Sequence, residues 1–396
     1  MATPTPDPRS NLQSESQPDL IEATAGAPQP PPVVDIKPLL ARLWPRHPEV
    51  TAGEISDAIE HFFTDRIDDV QTGALLMCLH FTGLDATPKS CRSGDSHNTF
   101  NISTTASILA SSLLLVSKHG NRASTSKSGS ADLIANMRFP TPPDMSAVEP
   151  DKIGHIYSKT NYAFLFAPSF HPGMRFVSPT RKKLPWRTIF NLLGPLANPM
   201  DVHDRPMLEA RVIGVARKDL GPVFAEALRL NGVRKAMVVC GDEELDEVSC
   251  AGPTLCWRLC EGAAAGEVEI QHFRLAPEDF GLTRHPLNTV SPGKEPAENA
   301  KILKSILKDE LADNDPILEF VLINTAALFV VSGVCDADSS DLGHGDDGSV
   351  LREAGPGGGR WKEGVRRARW AIKSGEAWRQ WEAFVQVTND LNSGRS

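Results

Sequence analysis

The chain has 396 residues, which at about 150 residues per domain gives two to three domains and a large core, and excludes a miniprotein held together by staples. Hydrophobic residues make 40% and charged residues 23%, close to soluble globular averages, which excludes a mostly disordered or fibrous chain. With 41 Lys and Arg against 50 Asp and Glu the net charge is −9, the wrong sign for a protein that coats nucleic acid by general electrostatics.

Residues 1–35 carry Pro4, Pro6, Pro8, Pro18, Pro28 and Pro30 to Pro32 among Ser, Gln and acidic residues. Such a leader cannot build a core and reads as a solvated tail. It has no apolar signal-peptide region, and its acidic residues and scarcity of Arg disfavour a mitochondrial transit peptide. Thr51 and Glu54 make a capping box ahead of Ile55, Ala58, Ile59, Phe62 and Phe63 on one helix face. Asp68 and Asp69 open a second helix that runs to Gly83.

Hydroxyls and small polar residues crowd the stretch Gly94 to Ser130, GDSHNTFNISTTASILASSLLLVSKHGNRASTSKSGS. Asn101, Ser103 and Thr104 precede the apolar run from Ile108. They stand at a helix N-terminus, where free backbone N–H groups and the helix dipole attract anions. Lys118, His119, Asn121 and Arg122 follow, then a hydroxyl-rich run between Gly120 and Gly129. The glycines let backbone approach a ligand, and the cations and hydroxyls suit phosphate oxygens. Taken singly these are residues of a solvated loop; together they favour a phosphorylated sugar. No Walker-type loop or dinucleotide fingerprint occurs.

Further on, Met207 to Ala216 reads as a strand, Gly221 to Leu230 as a helix and Ala236 to Cys240 as a second strand, a βαβ unit with parallel neighbours. Val268 to Leu275 supplies another strand, and Ile302 to Leu311 an amphipathic helix. Pro316 to Val334 is the most apolar stretch, but Glu319, Asn324 and Thr325 interrupt it. It therefore reads as a buried core helix rather than a membrane span. Asp336 to Gly359 is a long loop before helices from Trp361 onward. The seven cysteines, Cys78, Cys91, Cys240, Cys250, Cys256, Cys260 and Cys335, are odd in number and form no C-x-x-C pair. They read as reduced, buried thiols of a cytoplasmic protein.

The run Asn98 to Ser130 resembles the anthranilate phosphoribosyltransferases of tryptophan biosynthesis. The likeness continues through FLFAPSFHPGMRFVSPTRKKLPWRTIFNLLGPLANP (Phe164 to Pro199), LDEVSCAGPT (Leu245 to Thr254) and the apolar helix at Val321 to Val331. The resemblance implies an α/β fold class: a small all-helical domain (36–88, joined by 148–186) and a larger α/β domain (89–147 and 187–392) with a mostly parallel sheet. It also implies a homodimer, Mg2+, and attack by the anthranilate amine on the ribose of phosphoribosyl pyrophosphate. Membrane and nucleic acid are not expected partners.

Carried over by position, the resemblance assigns Gly94, Asp95, Thr99, Asn101, Ser103 and Thr104 to the phosphoribosyl pyrophosphate side. Lys118, His119, Gly120, Asn121, Arg122, Ser126 and Ser130 continue that side. Asn121 would also face anthranilate, and Arg181 would hold its carboxylate, although Arg181 beside Lys182 and Lys183 alone reads as a solvated patch. Ser103, Asp246 and Glu247 would take the metal; by themselves two adjacent acids are ordinary surface. No residue is assigned as a covalent nucleophile, and His119 is read as a binding group rather than a general base. His171 either packs against the aromatic substrate or hydrogen-bonds in the core.

The chain departs from the family at one place. Where the family has Gly-Thr-Gly-Gly-Asp after a short strand, this chain has Cys91, Arg92, Ser93, Gly94 and Asp95, and Gly83 to Ser90 runs straight into them. Side chains at Cys91 and Ser93 would obstruct backbone approach to pyrophosphate, and loss of the strand would open a sheet edge. Impaired transfer is the implied consequence. The alternatives are a pyrimidine nucleoside phosphorylase-like enzyme and a non-catalytic structural or binding homologue. The binding reading draws on Trp361, Trp370, Trp378 and Trp381 interleaved with Lys362, Arg366, Arg367, Arg369 and Lys373, although at helical spacing the tryptophans fit core packing better.

Overall fold

The computed structural model describes residues 32–43, 50–83, 97, 99–123, 128–138, 140–186, 188–202, 205–262, 264, 266–291 and 295–394. The first helices are α1 (Lys37–Leu43), α2 (Ala52–Phe63) and α3 (Asp69–Gly83). α2 begins where its capping box predicts. The Thr51 hydroxyl accepts from the Glu54 backbone N–H at 3.3 Å, and the Glu54 carboxylate accepts from the Thr51 N–H at 3.0 Å. Each satisfies an N–H group that the helix cannot. Leu39, Leu43, Ala58, Phe62, Leu75, Leu76 and Leu79 close over one another in a small core of their own.

The chain then forms α4 (Ile102–Ala110), β1 (Val116–Gly120), α5 (Ser130–Asn136), α6 (Ile153–Tyr157) and β2 (Tyr162–Phe166). β1 and β2 pair in parallel, from Val116 opposite Tyr162 to Gly120 opposite Phe166. Next come α7 (Ala167–Phe170), α8 (Met174–Lys183) and α9 (Phe190–Leu193). The segment 148–186, expected to join the helical domain, divides here. Val148, Ile153, Ile156 and Tyr162 to Leu165 lie in the large core, whereas Val177, Leu184, Ile189 and Phe190 pack with the N-terminal helices. The correction has a backbone cause: an all-apolar strand buries its peptide groups only beside a partner strand, and β1 supplies it.

After the short antiparallel pair β3 (Asp201–Val202) and β4 (Arg205–Pro206), the expected βαβ unit follows as β5 (Ala210–Gly214), α10 (Leu220–Leu230) and β6 (Lys235–Gly241). β5 and β6 are parallel, with Ala210 opposite Lys235. β7 (Thr254–Glu261) and β8 (Val268–Leu275) extend the sheet in the order β5-β6-β7-β8, antiparallel from β6 outward. Sequence reading did not find β7. Its Cys, Trp and Arg positions give no clean alternation because both its faces are partly covered.

The last helices are α11 (Pro296–Leu307), α12 (Pro316–Ser332), α13 (Trp361–Lys373) and α14 (Glu376–Ser393). Asp315 caps α12 by accepting from the N–H groups of Ile317 at 2.9 Å and Leu318 at 3.1 Å, and Gly333 ends it at φ 92°. α12 is buried along nearly its whole length, with Glu319, Asn324 and Thr325 included. Among the described residues no helix is long and apolar enough to cross a membrane. Trp361, Trp370, Trp378 and Trp381 are all buried. Arg366 and Arg367 turn inward to the fully buried Glu363, at 2.8 and 2.7 Å. The tryptophans of α13 and α14 are thus core residues, Arg366 and Arg367 are in internal ion pairs, and Lys362, Arg369 and Lys373 pair with acids at the surface, so the helices present no stacking surface for nucleic acid. Among the described residues Cys240, Cys250, Cys256, Cys260 and Cys335 are free thiols, and all of these but Cys260 are buried, as is Cys78.

Candidate anion-binding site

The site is built where α4 begins. Asn101 caps that helix, its side-chain oxygen accepting from the Thr104 N–H at 3.4 Å. Ser103 is thereby exposed in the first turn, while the Thr104 hydroxyl is buried with no hydrogen-bond partner among the described residues. The N–H groups of that turn and the positive end of the helix dipole face the same space. β1 runs beside it, and Lys118 Nζ donates to Ser103 Oγ at 3.1 Å. Burial pushes the Lys118 amine down to about 8, and the nearby Glu247 carboxylate opposes that shift. Ser103, Lys118 and Glu247, far apart in sequence, are brought to one place.

A closed turn follows β1. The Asp132 carboxylate accepts from the N–H groups of Ala123 at 2.8 Å and Gly129 at 3.1 Å. A Cβ at Gly129 would stand 2.2 Å from the Ala123 nitrogen, so the turn closes only around glycine. Asn121 Oδ1 accepts from the Arg122 N–H at 2.8 Å, and Arg122 lies 3.7 Å from Asp132 with its guanidinium 5.8 Å from the Phe166 ring centre. Gly120 and Ser130 sit on the two sides of this turn, at the end of β1 and the start of α5. Asp132 was not found by sequence reading, though an acid three residues after a glycine is a signal for such a cap.

His119 and His171 meet edge to face with ring centres 5.0 Å apart. His119 is bonded to the backbone of Gly194 and His171 to that of Ala197. Their Nε2 atoms are buried without a hydrogen-bond partner among the described residues. Burial, then His171 and Lys118, drive the His119 imidazole down to about 4. Burial also lowers His171. Both rings are therefore neutral near pH 7.

Asp246 and Glu247 lie in the loop between β6 and β7. Gly214, at the end of β5, lets that loop approach: a Cβ there would be 1.5 Å from the Asp246 carbonyl oxygen. Asn324, on α12, holds the next residue, accepting from the Val248 N–H and donating to its carbonyl, both at 3.0 Å. Sequence reading took Asn324 only as an interruption of an apolar run. Arg181 stands on the helical side, on α8, donating to Asn191 Oδ1 at 3.2 Å with its guanidinium 5.3 Å from the Phe190 ring centre. Thr99 is half-buried just ahead of α4. Gly94, Asp95 and Ser126, with the altered Cys91, Arg92 and Ser93, lie outside the described residues.

Among the described residues no three His, Cys, Asp or Glu side chains gather to hold a metal by themselves. Ser103, Asp246 and Glu247 offer hard oxygen donors, one hydroxyl and two carboxylates. That set fits a magnesium ion whose remaining positions are filled by substrate phosphate and water.

Comparisons with known proteins point the same way. Residues 37–87 match the helical bundle domain of the glycosyl transferase family and residues 89–378 its a/b domain. The chain is 41% identical to the anthranilate phosphoribosyltransferase of Schizosaccharomyces pombe over 296 residues, covering 74% of this chain and 72% of the relative. It is 32% identical to that of Herpetosiphon aurantiacus over 365 residues, covering 86% and 96%. Among solved structures, anthranilate phosphoribosyltransferase from Saccharomyces cerevisiae in complex with PRPP and Mg superposes with a TM-score of 0.71 at 30% identity, covering 89% of this chain and 97% of that one. The same yeast protein in complex with 4-fluoroanthranilate gives 0.69 at 28% identity, covering 89% and 96%.

The histidine pair gives a first prediction. An unfolded imidazole titrates near 6.5, whereas folded His119 does so at about 4. Between these values the unfolded chain binds the proton and the folded chain does not, so stability falls as pH drops through that window. Urea unfolding at a series of pH values should show the decline, and H119Q should flatten it; an unchanged slope in the variant would contradict the neutral, buried ring.

Proposed function

The chain belongs to the glycosyl transferase family, in its helical bundle and its a/b domain, and from that membership we propose that it is a pentosyltransferase that moves phosphoribosyl from phosphoribosyl pyrophosphate to the amine of anthranilate, releasing pyrophosphate. The amine lone pair attacks the anomeric carbon, the bond to pyrophosphate breaks, and the amine proton leaves to solvent. The observation that carries this reading is the convergence of Lys118 and Ser103 at the first turn of α4 with Glu247 opposite. It is an anion seat with a carboxylate beside it, the pair a magnesium-bound polyphosphate needs.

Negative charge grows on the leaving pyrophosphate and positive charge on the ribose. Catalysis is therefore positioning and charge stabilisation rather than covalent chemistry. Ser103, Asp246 and Glu247 would hold a magnesium ion, which when bound would supply Lewis-acid neutralisation of pyrophosphate. Lys118, Thr104 and the N–H groups of α4 receive phosphate oxygens, with Thr99, Asn101 and the Gly120 to Arg122 turn shaping the ribose side. Gly94, Asp95, Ser126 and Ser130 complete the phosphate binding. Arg181 offers a planar fork to the anthranilate carboxylate, and Asn121 faces the same substrate. Free thiols that are mostly buried suit a cytoplasmic enzyme.

The test is loss of anthranilate fluorescence in the presence of phosphoribosyl pyrophosphate and Mg2+, abolished by chelation. Protein that phosphorolyses pyrimidine nucleosides and ignores anthranilate would overturn the reading. K118A should lower kcat/KM by roughly 100-fold or more, the scale for losing one aimed donor. R181A should raise KM for anthranilate severalfold and leave that for phosphoribosyl pyrophosphate nearly unchanged. Below pH 8 Lys118 is charged, and its hold on phosphate weakens as pH rises through about 8.

The loop at Cys91 to Ser93 makes a separate prediction. If side chains there obstruct pyrophosphate, the C91G/S93G double variant should bind phosphoribosyl pyrophosphate more tightly than the natural chain, and titration calorimetry reads the difference directly. Equal or weaker binding would show that those positions do not need glycine.

The enzyme acts as a homodimer. Phe63, Val70 and Met77 of the helical domain are exposed apolar side chains, at 38%, 80% and 42%, and burying such a face stabilises a second copy against it. Sedimentation velocity should give about twice the 43.0 kDa chain mass, and V70E should shift it to one; a natural chain that sediments as a monomer would refute the dimer.

A further inference from the structure

The acidic pair Asp246 and Glu247 sits on a loop, yet the groups meant to hold a metal must stand within a few tenths of an ångström of their places. Several hydrogen bonds fold the loop upon itself. The N–H of Gly241 donates to the Leu245 carbonyl at 2.8 Å, that of Asp242 to the Pro253 carbonyl at 2.9 Å, and that of Ser249 to Thr254 Oγ1 at 2.8 Å. These bonds stay within residues 241–254. Other groups reach the ends of the loop, His97 Nε2 bonding the Glu243 carbonyl at 2.9 Å, Lys218 Nζ donating to Asp242 at 3.0 Å and the His285 N–H donating to the Cys250 carbonyl at 2.9 Å. At Val248, the residue beside the acidic pair, the tie to the rest of the domain is Asn324, buried in the middle of α12.

Its geometry is that of a strand neighbour. Asn324 Oδ1 accepts from the Val248 N–H and Nδ2 donates to the Val248 carbonyl, each at 3.0 Å, while Nδ2 also donates to the Phe320 carbonyl of its own helix at 3.1 Å. A single amide thus satisfies both backbone groups of the residue that follows Glu247 and is itself fixed by the helix turn above it. Val248 is 1% exposed, so water cannot replace either bond, and a buried peptide group left without a partner is destabilising by about 1–3 kcal/mol. The carbonyl of Phe320 sets which way the amide faces, because an oxygen there would meet another oxygen. α12 also packs on α4, which carries Ser103, and on β5, whose Gly214 receives Asp246.

We infer that Asn324 is a positioning residue for the metal-binding acids: it pins Val248 to α12, and so fixes Asp246 and Glu247 against Ser103 and Lys118 for a magnesium-bound polyphosphate. The inference rests on the proposed reading of Asp246 and Glu247 as metal ligands. Its neighbour Thr325 differs instructively. Thr325 is equally buried on α12, but its hydroxyl donates to Val321 of the same helix at 2.9 Å, with no part in the loop.

The experiment measures binding of phosphoribosyl pyrophosphate as a function of Mg2+ concentration, by calorimetry, alongside steady-state kinetics. Four proteins are compared: natural chain, N324L, T325V and E247Q. N324L, close in volume but unable to bond Val248, should raise the Mg2+ concentration for half-saturation by about 10–100-fold, the scale for losing a partner of a metal ligand. Its KM for anthranilate should stay within about twofold. T325V should match the natural chain. Should N324L fail to fold, N324D, which keeps the acceptor from the Val248 N–H and loses the donor, reads the same quantity and should shift it the same way. An N324L that binds with natural Mg2+ dependence while E247Q is shifted refutes the role of Asn324 alone. An E247Q with natural Mg2+ dependence refutes the metal-ligand reading and this inference with it. Equal losses in N324L and T325V would mark a general effect of disturbing α12, and would also overturn the inference.

Discussion

A helix that is apolar on every face has to be covered on every face, and in this protein that helix is α12. Its cover is the site. α4, β5, β6 and α13 pack against it, so the start of α4 and the end of β5 take up fixed places relative to one another. Pinned by Asn324, the acidic loop joins them. The two polar residues in the middle of the helix are satisfied locally or by that loop. A polar group in an apolar helix stays buried only when bonded, which makes Asn324 as much a constraint on the loop as the loop is on Asn324.

The electrostatics follow from that packing. The chain as a whole is acidic, so a polyanion is held by a local arrangement and not by net charge. The N-terminus of α4 gives partial positive charge that cannot be titrated away. Lys118 adds a full charge, lowered by burial and favoured by Glu247. Neutral His119 and His171, by contrast, add polar ring nitrogens without charge. The side of the site nearest the helical domain is therefore less positive than the phosphate seat, which suits an aromatic acid whose carboxylate alone needs a cation. Arg181, held by Asn191 and over Phe190, is the cation that the proposed function gives to that carboxylate.

Local signals made much of this legible. Thr51 and Glu54 marked the start of α2 because a capping box is written in four residues, and the βαβ unit from β5 to β6 was visible because buried parallel strands are continuously apolar. β7 was not visible, since a strand covered on both faces but carrying Arg258 and Trp257 follows neither period. The segment around β2 was assigned to the wrong domain because apolar strands and helix-packing segments look alike until their partners are known. Of the site, Asn101 and Lys118 could be read from a helix start and a basic run. Asp246 and Glu247 could not be told from surface acids without a resemblance, because what distinguishes them is Lys118 in space, more than a hundred residues earlier. Asn324 was legible only as an exception to hydrophobicity.

The departure at Cys91 to Ser93 bears on one part of the site only. Among the described residues β1 pairs with β2 alone and β5 with β6 alone, so the two sheets meet through α4 and α12 rather than through a strand between them. Nevertheless the α4 cap, the Lys118 to Ser103 bond and the Asn324 clamp are all made. These groups depend on α12 and on β1, not on a glycine-rich loop. Arg181 on α8 and His171 after α7 are farther still from the altered residues in sequence, and His119 stands beside Lys118 on β1. By the resemblance, side chains in place of two glycines would hinder backbone N–H groups from approaching pyrophosphate, while the described lysine and acids keep their places. Those N–H groups matter most when the leaving group carries its full charge, so the departure weighs on the rate of transfer more than on recognition of the acceptor.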